Sequence, residues 1–157
     1  MGAPIDNIPL IRDATADDVA RIAAIARAAY AKYVPRIGRE PAPMVADYHA
    51  DVAAHEAIVI QVAGVVAGYM IAWPEADGYF IDNIGIDPAY QGAGLGRRLI
   101  EYAVGRAHRH GLPALRLYTN TMMTENLSMY GHFGFVETHR GIDQGFHRVY
   151  MRWCLPS

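Results

Sequence analysis

Glycines at positions 92, 94 and 96, with Gln91 before them and Arg97 and Arg98 after, are the residues of this sequence best suited to hold an anion. Glycine adopts positive φ at little cost and carries no Cβ to keep a ligand off the backbone. A helix that starts directly after such a loop adds N–H groups and the positive end of its dipole at the same place. Together these features form a phosphate cradle. Two common cradles are excluded by spelling: a Walker loop needs Gly-Lys-Ser/Thr, and the dinucleotide fingerprint needs Gly-x-Gly-x-x-Gly. Here Gly96 is followed by arginine, and the glycines run Gly-x-Gly-x-Gly.

Other chemistry-bearing residues are sparser. Strand alternation puts Phe80, Asp82, Ile84 and Ile86 on one face, with Asp82 as its carboxylate. Glu75, on the preceding loop, is a weaker candidate base. The seven histidines do not spell a metal site. His108 and His110 stand at i, i+2 on a predicted helix and cannot face one ligand, and neither His-Glu-x-x-His nor paired cysteines occur. No metal is expected. Cys154 is the sole cysteine, so an intrachain disulfide is impossible. Beside Trp153 it reads as a buried structural thiol.

The elements that must position these residues can be read in order. Residues 8–13 form a short apolar run, a first strand. Thr15 stands three residues before Asp18, a capping-box-like start to a helix over 16–31, with Ile22, Ile25 and Ala29 at helical spacing. Residues 30–44 contain three prolines and a glycine, which prevent a regular helix. A helix is predicted over 45–55, then strands over 58–63 and 66–73 joined by a tight turn at Ala63-Gly64. The central strand, 79–86, leads to the glycine loop. The next helix carries Leu95, Leu99, Ala103 and Ala107 at i, i+4 steps and closes at Gly111. A strand over 112–119, begun by Pro113, precedes a helix over 125–133 that stops at Gly134. Strands over 135–140 and 148–154 flank a turn at 141–145. One crossover within an antiparallel meander makes the class α+β.

The spelling Gln-x-x-Gly-x-Gly after a strand ending in Ile-Asp-Pro resembles the acyl-CoA pyrophosphate loop of the GNAT N-acetyltransferase superfamily. The opening at Ile11 to Thr15 and the run Asn126-Leu-Ser-Met-Tyr130 leading to Gly134-Phe135 extend the resemblance to nearly the whole chain. It implies a GNAT fold: a central mixed, mostly antiparallel, twisted sheet of about seven strands flanked by about four helices, in a single domain over 1–157. It implies transfer of acetyl from acetyl-CoA to an amine by direct attack on the thioester. The backbone of Gln91, Gly92, Ala93, Gly94, Leu95 and Gly96 would hold the pyrophosphate, with Arg97 adding a charge-assisted contact. Ile84, Gly85 and Ile86 would meet the pantetheine arm, with Gly85 leaving room for it, and Asn126 would hydrogen-bond it. Tyr130 occupies the place of the superfamily's proton donor. A tyrosine, with a pKa about 10, is a competent acid toward a leaving thiolate whose thiol titrates near ~8.5. Asp82 maps to the strand that often supplies a base, which the acceptor needs because an alkyl amine is mostly protonated at neutral pH. The segment between the first two helices commonly lines the acceptor side, so Tyr33, Arg36 and Arg39 are its expected polar readers.

Arginine's planar fork suits a carboxylate or phosphate, so a small, carboxylate-bearing amine is the favoured acceptor. A protein or peptide acceptor, and a non-catalytic acyl-CoA sensor, are the alternatives. The 157 residues are 52% hydrophobic and 19% charged, an ordinary globular balance. A net charge of −2 with no basic stripe argues against nucleic acid as partner. No apolar run approaches the ~20 residues of a membrane span, and residues 1–10 lack the regions of a signal peptide. A cytoplasmic protein is expected, with a homodimer compatible with the pattern.

Overall fold

The computed structural model describes residues 8–156. Their strands are β1 (Leu10–Asp13), β2 (Glu56–Val62), β3 (Val65–Glu75), β4 (Gly78–Ile86), β5 (Ala114–Asn120), β6 (Val136–Asp143) and β7 (Phe146–Cys154). They form a mixed sheet in the order β1-β2-β3-β4-β5-β7-β6. β4 and β5 are parallel, whereas β1–β2, β2–β3, β5–β7 and β6–β7 pair antiparallel. The longer helices are α1 (Val19–Tyr30), α4 (Tyr48–Ala54), α5 (Leu95–Arg109) and α6 (Thr124–Phe133), with α2 (Val34–Ile37) and α3 (Ala42–Val45) as single turns. This is the α+β class expected, and α5 is the crossover that makes β4 and β5 parallel. None of the described helices is long and apolar enough to cross a membrane.

The chain divides into two compact units, the first comprising residues 8–72 with Asn83–Glu101, the second Trp73–Asp82 with residues 102–156. In the first unit, α1 begins after a 3₁₀ turn, Ala16–Asp18, whose carboxylate does the capping: Asp18 accepts the Thr15 N–H at 2.8 Å. Asp18 also takes both forks of Arg12, at 2.8 and 2.9 Å. Hydrogen bonding from Arg12 is the main reason its carboxyl titrates below the ordinary value, burial opposing it. Ile22, Ile25, Ala26 and Tyr30 of α1 are buried, the stripe that the i, i+3/i+4 spacing predicts. Each fully buried isoleucine contributes about 1.5–3 kcal/mol.

Residues 30–44 form no regular helix, but they are not without structure. They wind as a 3₁₀ turn, Ala31–Tyr33, then α2 and α3. Pro35 and Pro43 fall in the first turns of those helices, where the missing N–H has no helical partner to lose. Gly38, at φ 87°, stops α2. Asp47 caps α4 by accepting the Ala50 N–H at 3.0 Å. The β2–β3 hairpin turns on Ala63 and Gly64, both at positive φ (52° and 79°), as a two-residue connection requires.

In the second unit, β4 and β5 pair at Tyr79–Leu115, Phe80–Arg116 and Ile81–Leu117. β5 then pairs with β7 along its whole length, from Ala114–Cys154 to Asn120–Arg148. Pro113 lies just outside β5, where its carbonyl accepts the Leu155 N–H. The β6–β7 turn is tighter than the sequence suggested: Gln144 and Gly145, at φ 52° and 82°, suffice, with β6 running on to Asp143 and β7 beginning at Phe146. Cys154 is exposed at the end of β7, not a buried thiol, because β7 has run out of the core there.

Candidate functional site

The loop is built as its spelling demands. Asp87 starts it: its carboxylate accepts the Ala89 N–H at 2.9 Å, and its backbone N–H bonds the Ala67 carbonyl of β3. Arg21 of α1 reaches across to the Asp87 carboxylate (2.6 Å) and the Val66 carbonyl (2.9 Å). These bonds hold the Asp87 carboxyl below its ordinary pKa, the Ala89 amide first and Arg21 second. After a 3₁₀ turn, Pro88–Tyr90, the chain passes Gly92 and Gly94 at φ 86° and 78°. At both positions the space a Cβ would fill is empty. The Arg98 N–H donates to the Gly94 carbonyl at 3.2 Å, so the amides of Leu95 and Gly96 precede the helical ladder, as anion binding at a helix start requires.

The end of β4 presents backbone to the same unit. The Ile84 carbonyl accepts the Tyr30 hydroxyl at 2.7 Å, and Gln91 Nε2 donates weakly to the Ile86 carbonyl at 3.4 Å. Gly85 is in close contact within the protein itself. A Cβ there would lie 2.7 Å from Cε1 of Tyr69, so its bare Cα makes room for that ring. Tyr69, fully buried on β3, donates to Asn83 Oδ1 at 2.6 Å, and Asn83 Nδ2 donates to the Tyr48 hydroxyl at 2.7 Å. Tyr48 in turn donates to the Pro43 carbonyl. Burial pushes the Tyr69 phenol well above its ordinary pKa. The network ties α3 and α4 to β3 and β4, with each polar group satisfied.

Among the expected acceptor readers, Arg36 and Arg39 are exposed. Tyr33 is not: it is 3% exposed, its ring tilted against Tyr30. The Arg36 guanidinium lies 5.2 Å from its ring centroid. Burial follows from the 3₁₀ turn, which rolls position 33 onto the core side of α1.

In the second unit, Tyr130 of α6 is 4% exposed, with its ring edge-on to Phe135. Asn126, one helical turn earlier, has Nδ2 at 3.6 Å from Met123 Sδ. Asp82 has a partner that sequence reasoning missed: the Tyr118 hydroxyl donates to it at 3.3 Å. Burial first, and the Asp82 charge second, push the Tyr118 phenol far above its ordinary value. The nearly buried Arg148 guanidinium lies 4.1 Å from the Tyr118 ring centroid and pairs with Asp143. Glu75, the weaker candidate base, is committed to Arg116 at 2.7 Å. The alternation of Arg116 with Tyr118, and of Arg148 with Tyr150, hinted at a polar face, but the sequence does not give the register that brings them to Asp82.

The sequence that builds this strand, loop and helix start lies within the match to a known family model. That model, described as the acetyltransferase (GNAT) family, aligns with residues 21–135. The chain belongs to the acetyltransferase (GNAT) family. Among relatives of this GNAT chain is the [Ribosomal protein bS18]-alanine N-acetyltransferase of Escherichia coli (strain K12), 31% identical over 74 residues, 47% of this chain and 50% of that one. The mycothiol acetyltransferase of Catenulispora acidiphila is 40% identical over 60 residues, 38% of this chain and 18% of that one. The chain thus spans half or less of the length of these curated relatives. The fold matches that of the PaiA N-acetyltransferase from Thermoplasma acidophilum, solved in complex with coenzyme A, with TM-score 0.81, 15% identity, and 94% and 99% of the two chains covered.

Proposed function

We propose that this GNAT chain is an acetyl-CoA-dependent N-acetyltransferase that acts, as one domain, on the amine of a small acceptor. The observation that carries the reading is the loop at 91–96, where Gly92 and Gly94 combine positive φ with open space in front of a helix start. The amides of Gln91 to Gly96 would hold the pyrophosphate of the donor, with Arg97 beside them. Ile84, Gly85 and Ile86 would offer backbone groups to the pantetheine, with Gly85 leaving room for the arm, and Asn126 would offer its amide. That a neighbour of the same fold was solved with coenzyme A supports this choice of donor.

The transfer itself would be a direct attack. The amine nitrogen bonds to the acetyl carbon, the carbon–sulfur bond breaks, and the sulfur leaves with the electron pair. Tyr130 gives that sulfur its proton and recovers one from solvent. Asp82, oriented by Tyr118, takes the proton that the amine loses. The products are an acetamide and free CoA thiol. Arg36 and Arg39, exposed on the α1–α4 connection, favour an acceptor bearing a carboxylate. A protein N-terminus is the second reading, supported by the E. coli relative, which acts on alanine of a ribosomal protein.

Calorimetry with acetyl-CoA tests the donor site. Gly94→Trp should weaken binding by about 100-fold or more, whereas Gly105→Ala in the interior of α5, where a methyl meets nothing, should not. Unchanged affinity in folded Gly94→Trp would remove the reading. Thiol release with amino acids, polyamines and Ala-initiated peptides then ranks the acceptors. Arg36→Ala and Arg39→Ala should lower kcat/KM for carboxylate-bearing amines by roughly tenfold each, and a preference for polyamines would end that part.

A further inference from the structure

The glycines that leave the donor loop open also leave it unable to hold itself in place. Residues 91–94 are exposed, and the positions a Cβ would take at Gly92 and Gly94 meet nothing. Glycine also has the most backbone freedom to lose. The loop is therefore fixed from its two ends. Downstream, Leu95 and Leu99 of α5 are buried and seat the helix start. Upstream, the chain is bonded back link by link. The Gln91 N–H donates to the Pro88 carbonyl at 3.4 Å, the Tyr90 N–H to the Asp87 carbonyl at 2.8 Å, and the Asp87 N–H to the Ala67 carbonyl at 2.8 Å. Asp87 is the upstream anchor.

The carboxylate of that anchor is divided between two tasks. Oδ1 accepts the Ala89 N–H at 2.9 Å and shapes the turn that leads into the loop, and Oδ2 accepts from Arg21 Nη2 at 2.6 Å. Arg21 Nε donates at the same time to the Val66 carbonyl at 2.9 Å, next in the chain to the Ala67 carbonyl that holds the Asp87 N–H. One guanidinium thus closes a ring through α1, β3 and the loop, and its planar fork favours one orientation of the carboxylate. The base of the ring is firm, because Ile22 and Ile25 of α1 and Ala67 of β3 are fully buried. The ion pair itself is partly exposed, at 37% and 19% of the two side chains, so it adds little to global stability. A bond that stabilises the fold little but sets the direction of a turn acts on what that turn carries.

We infer that Arg21 is a positioning residue for the donor: by orienting the Asp87 carboxylate it holds the amides of residues 91–96 in the arrangement that receives the pyrophosphate. The inference rests on the acetyl-CoA reading of the loop. Arg21 acts through Asp87 and the turn. Without its guanidinium the loop keeps its residues but samples more directions, and binding must first order it.

Calorimetry with acetyl-CoA and steady-state thiol release compare wild type with three variants. Arg21→Met keeps the aliphatic stem, Asp87→Asn keeps an oxygen for the Ala89 N–H, and the third combines both changes. Each single variant should weaken acetyl-CoA binding about three- to tenfold, with kcat at saturating acetyl-CoA within about twofold of wild type. The double variant should bind no more weakly than the weaker single one, because the two residues form one bond. Arg21→Lys, with a point charge in place of the fork, should recover part of the affinity. Asp18→Asn is the control: it breaks the other ion pair at the start of α1 without touching Asp87, and should leave acetyl-CoA affinity unchanged. Should Arg21→Met fail to fold, Asp87→Asn carries the same test. Affinity within about twofold of wild type in the folded single variants, with Gly94→Trp still impaired, would overturn the inference and leave the donor reading standing. Equal losses in Arg21→Met and Asp18→Asn would assign the effect to a general loosening of α1 and overturn it too. Failure of the wild-type protein to bind acetyl-CoA would overturn both.

Discussion

The glycine loop of the first unit and the row of rings Trp73, Phe80, Tyr118 and Tyr150 of the second are built from opposite materials. At the loop, contiguous residues offer backbone amides, and side chains matter mainly by being absent at Gly92 and Gly94. In the row, each strand contributes one or two side chains, and the backbone is spent on ladder bonds. A backbone site is intolerant of any added atom but indifferent to the chemistry of its neighbours. A side-chain surface loses its function gradually as rings are removed, and its specificity can change without loss of fold.

The sharpest way to break the comparison is through Tyr130, whose part is a single hydroxyl. Tyr130→Phe keeps the edge-on packing against Phe135 and should lower kcat by about 10²–10⁴-fold with acetyl-CoA affinity nearly preserved. A change within about twofold would make Tyr130 a packing residue.

Gly85 distinguishes a gap left for a ligand from a gap left for a neighbour. Gly85→Ala drives a methyl into Tyr69, so the folded protein should lose about 1–3 kcal/mol, read by urea unfolding. Acetyl-CoA affinity, measured where the variant is still folded, should change far less than in Gly94→Trp. Lost affinity at full stability would assign the gap to the pantetheine.

The smallest effect lies away from both regions, at the Arg12–Asp18 pair. Asp18 has a lowered pKa in the folded protein, so its stabilisation is fully present above the unfolded value near ~3.9 and fades as pH falls through the folded value. Asp18→Asn should therefore cost about 1–2 kcal/mol at neutral pH, with wild type and variant converging as pH falls through the lowered folded value. Equal stability at pH 7 would show that the exposed side of Arg12 screens the pair away.

Much of this chain is legible in one dimension because the signals are local. The loop is spelled by consecutive residues, and the buried stripes of α1 and α5 follow from i, i+4 spacing. The hairpin turn at Gly64 and the stop at Gly134 follow from glycines, which tolerate positive φ. Proline was only partly legible: it kept residues 30–44 from forming one regular helix, yet Pro35 and Pro43 sit in the first turns of α2 and α3, where they cost little. The rest was decided by the register of strands far apart in sequence. That register sets Tyr118 against Asp82, Tyr69 against Gly85 and the Tyr150 ring between β5 and β6. Alternation tells which residues share a face of their own strand. Which residue stands beside them on the next strand depends on a pairing that only the folded sheet determines, because a slip in register changes each of those contacts.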